Sequence, residues 1–284
     1  MKLLGEMRRL YGGWSVRRRY RSEIDLLAGR PIGAADRPSA VLHTVERAAS
    51  RFVTRTLGQL AKGEGLVPID LDSYHYEIGE IRDWIAGGRG GADHVLDTAG
   101  CFFGPFRTSS ANVLALRHRG VLVVRDPRDV LVSLHHNYGW EPRDPIAGDA
   151  KARAAVRSQM DATRQIELDD FVLDMATESH VRDTFEAYGS GLLDAPHVLC
   201  VTYEEMVADF TTWLDRIVRH LEWSPDAVLL DQAIASASFA PRPGAVQGRR
   251  EVLPGGYART LRPDTIDALD RELGPLLRTL GYSA

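Results

Sequence analysis

Cysteine is scarce in this chain, and the features of a disulfide scaffold, a zinc site or a membrane protein are missing. The two cysteines, Cys101 and Cys200, are far apart and fit no metal-ligand spacing, so we expect a protein of the reducing cytoplasm. No apolar run approaches the ~20 residues that a membrane span requires. The net charge of −4 gives no indication of a nucleic-acid partner.

The beginning of the chain is basic, with seven Lys or Arg among its first 22 residues. It lacks the continuous apolar core and the small-residue cleavage site of a signal peptide. We interpret residues 1–38 as a basic arm that packs Leu3, Leu10 and Trp14 on the body of the protein. The alternative is contact with an anionic substrate, or weak peripheral contact with a membrane surface.

A buried parallel strand is predicted over residues 121–124, four apolar residues that follow Gly120. Arg125 stands where this strand leaves the sheet, and Asp126 is placed to cap a helix that begins at Pro127. An arginine at the carboxyl end of a strand, next to a helix N-terminus, is well placed to hold an anion. The alternative is a local salt bridge between the arginine and the aspartate.

A similar strand–turn–helix unit is predicted near the start, with a strand over residues 39–45 and a helix over residues 46–57. Arg47 and Ser50 lie at the start of this helix, where backbone N–H groups and the helix dipole bind phosphate. The alternative for these two residues is a helix cap and a surface charge. The nucleoside triphosphatase pattern G-x-x-x-x-G-K-[ST] is absent.

The remaining pattern continues to alternate between strands and helices. Further strands are predicted over residues 63–71, 93–98 and 196–202, and an apolar loop over residues 99–107. Helices are predicted over residues 74–86, 151–188, 210–220 and 263–280, and a surface loop over the glycine cluster at 87–91. We therefore expect a single domain over residues 1–284, of the three-layer α/β/α class with a central, mostly parallel sheet.

The segment Arg125-Asp-Pro-Arg-Asp-Val-Leu-Val-Ser133 closely resembles the 3′-phosphate-binding motif of sulfotransferases that use 3′-phosphoadenosine 5′-phosphosulfate (PAPS). In that family the first Arg and the Ser eight residues later contact the 3′-phosphate, which assigns this role to Arg125 and Ser133. The resemblance implies a P-loop-NTPase-like sulfotransferase fold. It also implies PAPS as the donor, 3′-phosphoadenosine 5′-phosphate (PAP) as the product, and no need for a metal.

The turn after the first strand partly resembles the family's Pro-Lys-Ser-Gly-Thr-Thr-Trp loop, which holds the 5′-phosphosulfate. Arg47 takes the place of the Lys, Ser50 and Arg51 replace the two threonines, and Phe52 replaces the Trp. Two alanines at positions 48–49 replace Ser-Gly, which leaves one hydroxyl donor fewer and less backbone freedom.

Resemblance also assigns the groups around the nucleotide. Tyr203, at the end of a strand, resembles a family tyrosine that contacts the adenine, and Phe239 resembles a residue that borders the adenine pocket. Residues 240–260 resemble a lid loop, in which Arg250 and Arg249 would hold the 3′-phosphate. A basic lid excludes water from a reactive donor. The alternative for this segment is an ordinary charged surface loop.

The family's catalytic base is missing, because its Thr-His pair reads Thr98-Ala99 in this chain. A hydroxyl of high pKa still needs a carboxylate or an imidazole to accept its proton. The candidates are Asp97 first by position, then Glu46 in the phosphosulfate loop, and His43 on the first strand. The alternative for each is a structural role.

These resemblances imply an enzyme that moves a sulfuryl group from PAPS to a hydroxyl by in-line attack, with Arg47 neutralising the leaving phosphate. In the family, the helical segment that corresponds to residues 140–190 helps form the acceptor pocket. A small molecule, a lipid and a carbohydrate would all serve as acceptors, and the oligomeric state is left open. The alternatives are a non-catalytic PAP- or nucleotide-binding protein of the same fold and a phosphoryl-transfer enzyme.

Overall fold

The computed structural model describes residues 15–78, 95–107, 117–141, 150–177, 180–189, 191–237, 239 and 253–283. A five-stranded sheet forms the centre, with strand order β2-β3-β1-β4-β5 and every pair parallel. The strands are β1 (Ala40–Thr44), β2 (Val67–Ile69), β3 (Cys101–Phe106), β4 (Arg119–Val124) and β5 (Val198–Thr202). The predicted parallel α/β sheet is confirmed.

The helices follow and separate the strands along the chain. They are α1 (Arg21–Leu27), α2 (Ser50–Gly63), α3 (Leu71–Ile78), α4 (Pro127–Trp140), α5 (Ala150–Thr163), α6 (Leu168–Thr177), α7 (His180–Gly189), α8 (Tyr203–Ala208), α9 (Phe210–His220), α10 (Ala227–Ser236), α11 (Tyr257–Thr260) and α12 (Pro263–Thr279). None of the helices that the structure describes is long and apolar enough to cross a membrane.

Two apolar cores, one on each face of the sheet, make the molecule three-layered. Neighbouring residues of a strand point to opposite faces, so Leu42 joins the larger core and Val41 the smaller one. Phe102 and Phe103 divide in the same way between the two cores. β4 is buried from Gly120 to Val124, as a strand covered on both faces requires.

The third strand corrects the sequence prediction. Val95 and Leu96 lie in a helical turn rather than in the strand predicted over residues 93–98, and the strand occupies Cys101–Phe106, where an apolar loop was predicted. Gly104 and Pro105 made that stretch look like a loop. They form an irregularity opposite β1, where a side chain at Gly104 would lie 2.3 Å from the Leu42 carbonyl oxygen.

The N-terminal arm is held where the structure describes it. Val16 and Tyr20 are buried, and the Glu23 side chain of α1 accepts the N–H of Asp70 at 2.8 Å. Leu3, Leu10 and Trp14 lie outside the described residues, as does the glycine cluster at 87–91.

The C-terminus is tied to the start of α4 by a buried arginine. Arg128 donates to Asp126 Oδ2 at 2.7 Å, to Asp270 Oδ1 at 2.6 Å and to the Ser283 carbonyl oxygen at 3.0 Å. Its guanidinium also lies 4.3 Å from the ring centre of Tyr257. The end of the chain is therefore fixed close to the carboxyl end of β4.

His43, one candidate for the catalytic base, is completely buried. Its ring packs 5.9 Å from the ring of Phe106 and 6.2 Å from that of Tyr188. Neither ring nitrogen has a hydrogen-bond partner in the described part of the chain, and burial lowers the pKa of His43 to about 3. A side chain without exposed surface does not reach an acceptor, so His43 belongs to the core.

This burial predicts that His43 makes the fold sensitive to acid. The unfolded chain binds a proton at His43 near pH 6.5 and the folded chain does not, so stability is lost as pH falls from 6.5 towards 3. Between pH 7 and pH 5 the loss from this residue is about 2 kcal/mol. Urea unfolding at both pH values should show this loss in the wild type and not in His43→Phe. The control His136→Gln, at a half-buried histidine, should keep it. An equal loss in wild type and His43→Phe would contradict the assignment.

Candidate active site

Two strand–turn–helix units meet at the carboxyl edge of the sheet. β1 leads into α2 and its neighbour β4 leads into α4. The predicted cap of α4 is present, since Asp126 accepts the N–H of Arg128 at 2.9 Å and Pro127 is the first helical residue. Both helix N-termini, with their unpaired backbone N–H groups, therefore point to this edge.

Arg125 lies at the centre of this edge and is only 5% exposed. Its Nη1 donates to the carbonyl oxygen of Arg47 at 2.9 Å, and its Nη2 lies 3.7 Å from Asp129 Oδ2. The guanidinium carbon stands 4.3 Å from the centre of the Tyr203 ring. Arg125 thus connects the β1–α2 turn, the first turn of α4 and the end of β5.

The Nε donor of Arg125 is unused among the described residues. Its Nε is buried and has no acceptor within hydrogen-bonding distance among the described residues. A buried donor without a partner costs about 1–3 kcal/mol, and such groups are rare in native proteins. The orphan donor of a cation at a helix N-terminus indicates a site for an anionic ligand.

Arg47 connects the two predicted phosphate-binding motifs. Its Nε donates to Ser133 Oγ at 3.0 Å, and its Nη1 donates to Asn137 Oδ1 at 2.7 Å. Arg47, Arg125 and Ser133, which the sequence placed in one site, therefore lie side by side. Asn137 was missed, although it lies one helical turn after Ser133 on the same face of α4.

The turn between β1 and α2 adopts a strained backbone. Arg47 has a φ of 63° and Ala49 a φ of 56°, both in the left-handed region. For residues other than glycine this conformation costs roughly 1–2 kcal/mol. It also delays the start of α2 to Ser50, four residues after the predicted start at Glu46. Ala49, which replaces the family's glycine, therefore keeps a conformation typical of glycine.

Aromatic side chains form one wall beside α2. The Phe52 ring lies 5.5 Å from that of Phe210 and 5.4 Å from that of Phe239. Phe52, predicted in the phosphosulfate loop, and Phe239, predicted to border the adenine pocket, are thus neighbours, and both are partly exposed. Arg51 is exposed on the first turn of α2.

Tyr203, predicted to contact the adenine, lies behind Arg125. The residue is only 3% exposed, and the Arg125 guanidinium lies against its ring. Little of its surface is left for a base to stack on. Tyr203 packs against the Arg125 guanidinium, and its contact with the adenine stays a prediction.

Asp129 fixes the end of the predicted lid. Its two carboxylate oxygens accept the N–H groups of Gly255 and Tyr257 at 2.8 and 2.9 Å. Because Asp129 also faces Arg125, the end of the predicted lid is attached next to Arg125. Arg249 and Arg250 lie outside the described residues. Asp129 was missed as a site residue, although it is part of the recognised motif.

The structure does not bring Asp97 to this edge. Asp97 pairs with Arg117, which precedes β4, and the next residue, Thr98, accepts from Ser39, which precedes β1. These residues surround the amino ends of parallel strands, on the side of the sheet opposite Arg125. Asp97 was expected at the carboxyl edge because the third strand was predicted over residues 93–98, whereas β3 begins only at Cys101. Glu46, by contrast, lies half-buried in the β1–α2 turn.

Two solved structures share this fold over most of the chain. Mouse sulfotransferase SULT7A1, complexed with PAP, has a TM-score of 0.52 at 14% identity, covering 89% of this chain and 90% of that one. Retinol dehydratase, in a complex with retinol and PAP, has a TM-score of 0.52 at 15% identity, covering 91% and 86%. At such identities the likeness shows the fold.

A sulfotransferase domain family model matches residues 105–242, which include β4, α4 and the 125–133 motif. This match confirms the predicted resemblance to the sulfotransferase family over these residues. No curated protein matches the sequence significantly. The β1–α2 turn lies before the matched segment, so the match does not include Arg47 and Ser50.

The strained turn yields a prediction about stability. Ala49→Gly should raise the free energy of unfolding by up to about 1 kcal/mol, because glycine adopts a φ of 56° without steric cost. The matched control is Ala48→Gly, at a fully buried residue of the same turn, which should lower stability by about 1 kcal/mol. Chemical denaturation of both variants measures the effects. A loss of stability in Ala49→Gly equal to that of Ala48→Gly would contradict the described turn.

Proposed function

We propose that this protein is a PAPS-dependent sulfotransferase that moves a sulfuryl group to a hydroxyl of a small-molecule, lipid or carbohydrate acceptor. The observation that carries the proposal is the meeting of Arg47, Arg125 and Ser133 at one sheet edge, with the Arg125 Nε buried and unused. A terminal phosphate offers the acceptor oxygens that this donor lacks. The two free cysteines fit a cytoplasmic protein.

Different residues of the site would bind the 3′-phosphate and the 5′-phosphosulfate of the donor. Arg125 and Ser133 would hold the 3′-phosphate, with Arg249 and Arg250 closing over it from the lid. Arg47, Ser50 and the N-terminus of α2 would hold the 5′-phosphosulfate. Arg47 would stabilise the negative charge that grows on the leaving phosphate as the S–O bond breaks. Phe52 and Phe239 would border the adenine, and Arg51 would add positive charge at the helix start.

Three helices, α5 to α7, occupy the segment that we propose for the acceptor side. α6 packs on α4 and α12, and α7 brings Tyr188 to the end of β3, where its hydroxyl donates to the Phe106 carbonyl oxygen at 3.1 Å. α7 therefore reaches the carboxyl edge of the sheet beside β3.

A non-catalytic nucleotide-binding protein is the second candidate, because Ala48 and Ala49 remove a hydroxyl from the phosphosulfate turn. Thermal shift with PAP, AMP and Mg-ATP separates the candidates. We expect PAP to stabilise the protein most. Stabilisation by Mg-ATP and not by PAP would contradict the proposal and favour phosphoryl transfer. PAP binding without sulfate transfer to any acceptor in a labelled-donor screen would favour the non-catalytic protein.

The role of Arg125 can be tested against the 3′-phosphate itself. Arg125→Ala should weaken PAP binding by at least about tenfold, since a charge-assisted hydrogen bond contributes about 1.5–3 kcal/mol. The affinity for AMP, which lacks the 3′-phosphate, should change little. Ser133→Ala should show a smaller loss of the same kind, which is useful if Arg125→Ala folds poorly.

Calorimetric titration measures both affinities, and Arg271→Ala, at an exposed arginine of α12, serves as the control. If Arg125→Ala lowered the affinities for PAP and AMP equally, Arg125 would support the fold and would not bind the 3′-phosphate.

A further inference from the structure

A carboxylate that the sequence did not single out lies at the carboxyl edge beside β3. Asp72 is in the first turn of α3, after β2, and its Oδ2 accepts the N–H of Arg107 at 2.9 Å. Within the described ranges this is the only hydrogen bond to the Asp72 side chain, so its Oδ1 is left to accept a proton. The residue is half-buried.

Arg107 connects this carboxylate to the phosphosulfate turn. It follows the last residue of β3, and its Nε lies 3.4 Å from Ser50 Oγ at the N-terminus of α2. Asp72, Arg107 and Ser50 thus follow β2, β3 and β1, three neighbouring strands. Arg125 and Ser133 follow β4, on the other side of the α2 N-terminus. An acceptor beside Asp72 would therefore face the 5′-phosphosulfate of a donor whose 3′-phosphate lies beside Arg125.

The groups around Asp72 make it a stronger base than an ordinary aspartate. Burial raises its pKa to about 6, while the Arg107 cation and its N–H act in the opposite direction. The negative charges of Asp70, in the same turn, and Glu46, in the β1–α2 turn, raise the pKa as well. Tyr188 of α7 also faces this cluster. At neutral pH the carboxylate is mostly ionised and able to take a proton.

We propose that Asp72 is the catalytic base of the sulfuryl transfer and takes the role of the family's missing histidine. This inference rests on the proposed function. As the acceptor oxygen bonds to sulfur, its hydroxyl proton moves to Asp72 Oδ1, and the S–O bond to the 5′-phosphate breaks with its electron pair on PAP. The products are a sulfate ester and PAP, and Asp72 then releases the proton to water. Glu46, a candidate from the sequence, acts on Asp72 through its charge.

The test measures PAP formation from PAPS, with benzyl alcohol as a probe acceptor of high hydroxyl pKa and with water alone. Asp72→Asn should lower kcat roughly 10²- to 10⁴-fold, while the affinity for PAP changes less than about threefold. The wild-type kcat should fall as pH drops through about 6, and this acidic limb should vanish in Asp72→Asn. The exposed Asp231→Asn on α10 is the matched control.

Two further variants separate a base from a structural aspartate. Arg107→Met removes a cation and keeps the backbone N–H, so it should move the acidic limb to higher pH. Glu46→Gln removes a negative charge and should move it to lower pH. If Asp72 had only a structural role, neither variant would shift the acidic limb of the pH profile. Both variants keep Asp72, so they test its role even if Asp72→Asn folds poorly.

The outcomes are distinguishable from a failure of the proposed function. A protein that does not bind PAP overturns the sulfotransferase proposal itself. A protein that binds PAP but consumes no PAPS with either probe overturns the role of Asp72 together with the transfer activity, and favours the non-catalytic nucleotide-binding protein. If Asp72→Asn keeps the wild-type kcat and the acidic limb, Asp72 is not the catalytic base, while the sulfotransferase proposal stands. If the acidic limb is lost in Glu46→Gln, Glu46 is the base.

Discussion

The buried guanidinium of Arg125 is the constraint on which the carboxyl edge of the sheet depends. A charge that is 5% exposed must be compensated, because removing an ion from water costs several kcal/mol. The Arg47 carbonyl oxygen, the Asp129 carboxylate and the Tyr203 ring supply that compensation. These partners belong to three different elements, so one cation sets the relative positions of the β1–α2 turn, α4 and the end of β5. The Nε–H group of Arg125 faces no protein acceptor in the described part of the chain.

Charge is divided across this edge by the N-terminus of α2. The guanidinium groups of Arg47 and Arg125 gather on the β4 side, where α4 contributes Ser133 and Asn137. The β2 and β3 side carries Asp72, held by the backbone of Arg107, and the Arg107 guanidinium reaches towards Ser50. In the proposed transfer, a polyanionic donor on the β4 side and a proton acceptor on the β2 and β3 side suit in-line attack, because the leaving group and the nucleophile lie at opposite ends of the reacting centre.

The parts of this site that follow local sequence patterns could be predicted, and those that depend on strand position could not. β4 and the start of α4 were predicted correctly because four apolar residues, an arginine and an Asp-Pro cap stand in a row. β3 was missed because Gly104 and Pro105 occupy an irregularity in an interior strand. That error placed Asp97 at the wrong edge and hid Asp72, whose environment arises only when Arg107 and Glu46 fold around it.

A crystal structure of the protein with PAP tests the central claim most directly. The account predicts the 3′-phosphate within hydrogen-bonding distance of Arg125 Nε and Ser133 Oγ, the 5′-phosphate at Arg47 and the N-terminus of α2, and Asp72 facing the space beyond the 5′-phosphate. PAP bound elsewhere, or bound with its 3′-phosphate away from an unchanged Arg125, would contradict it.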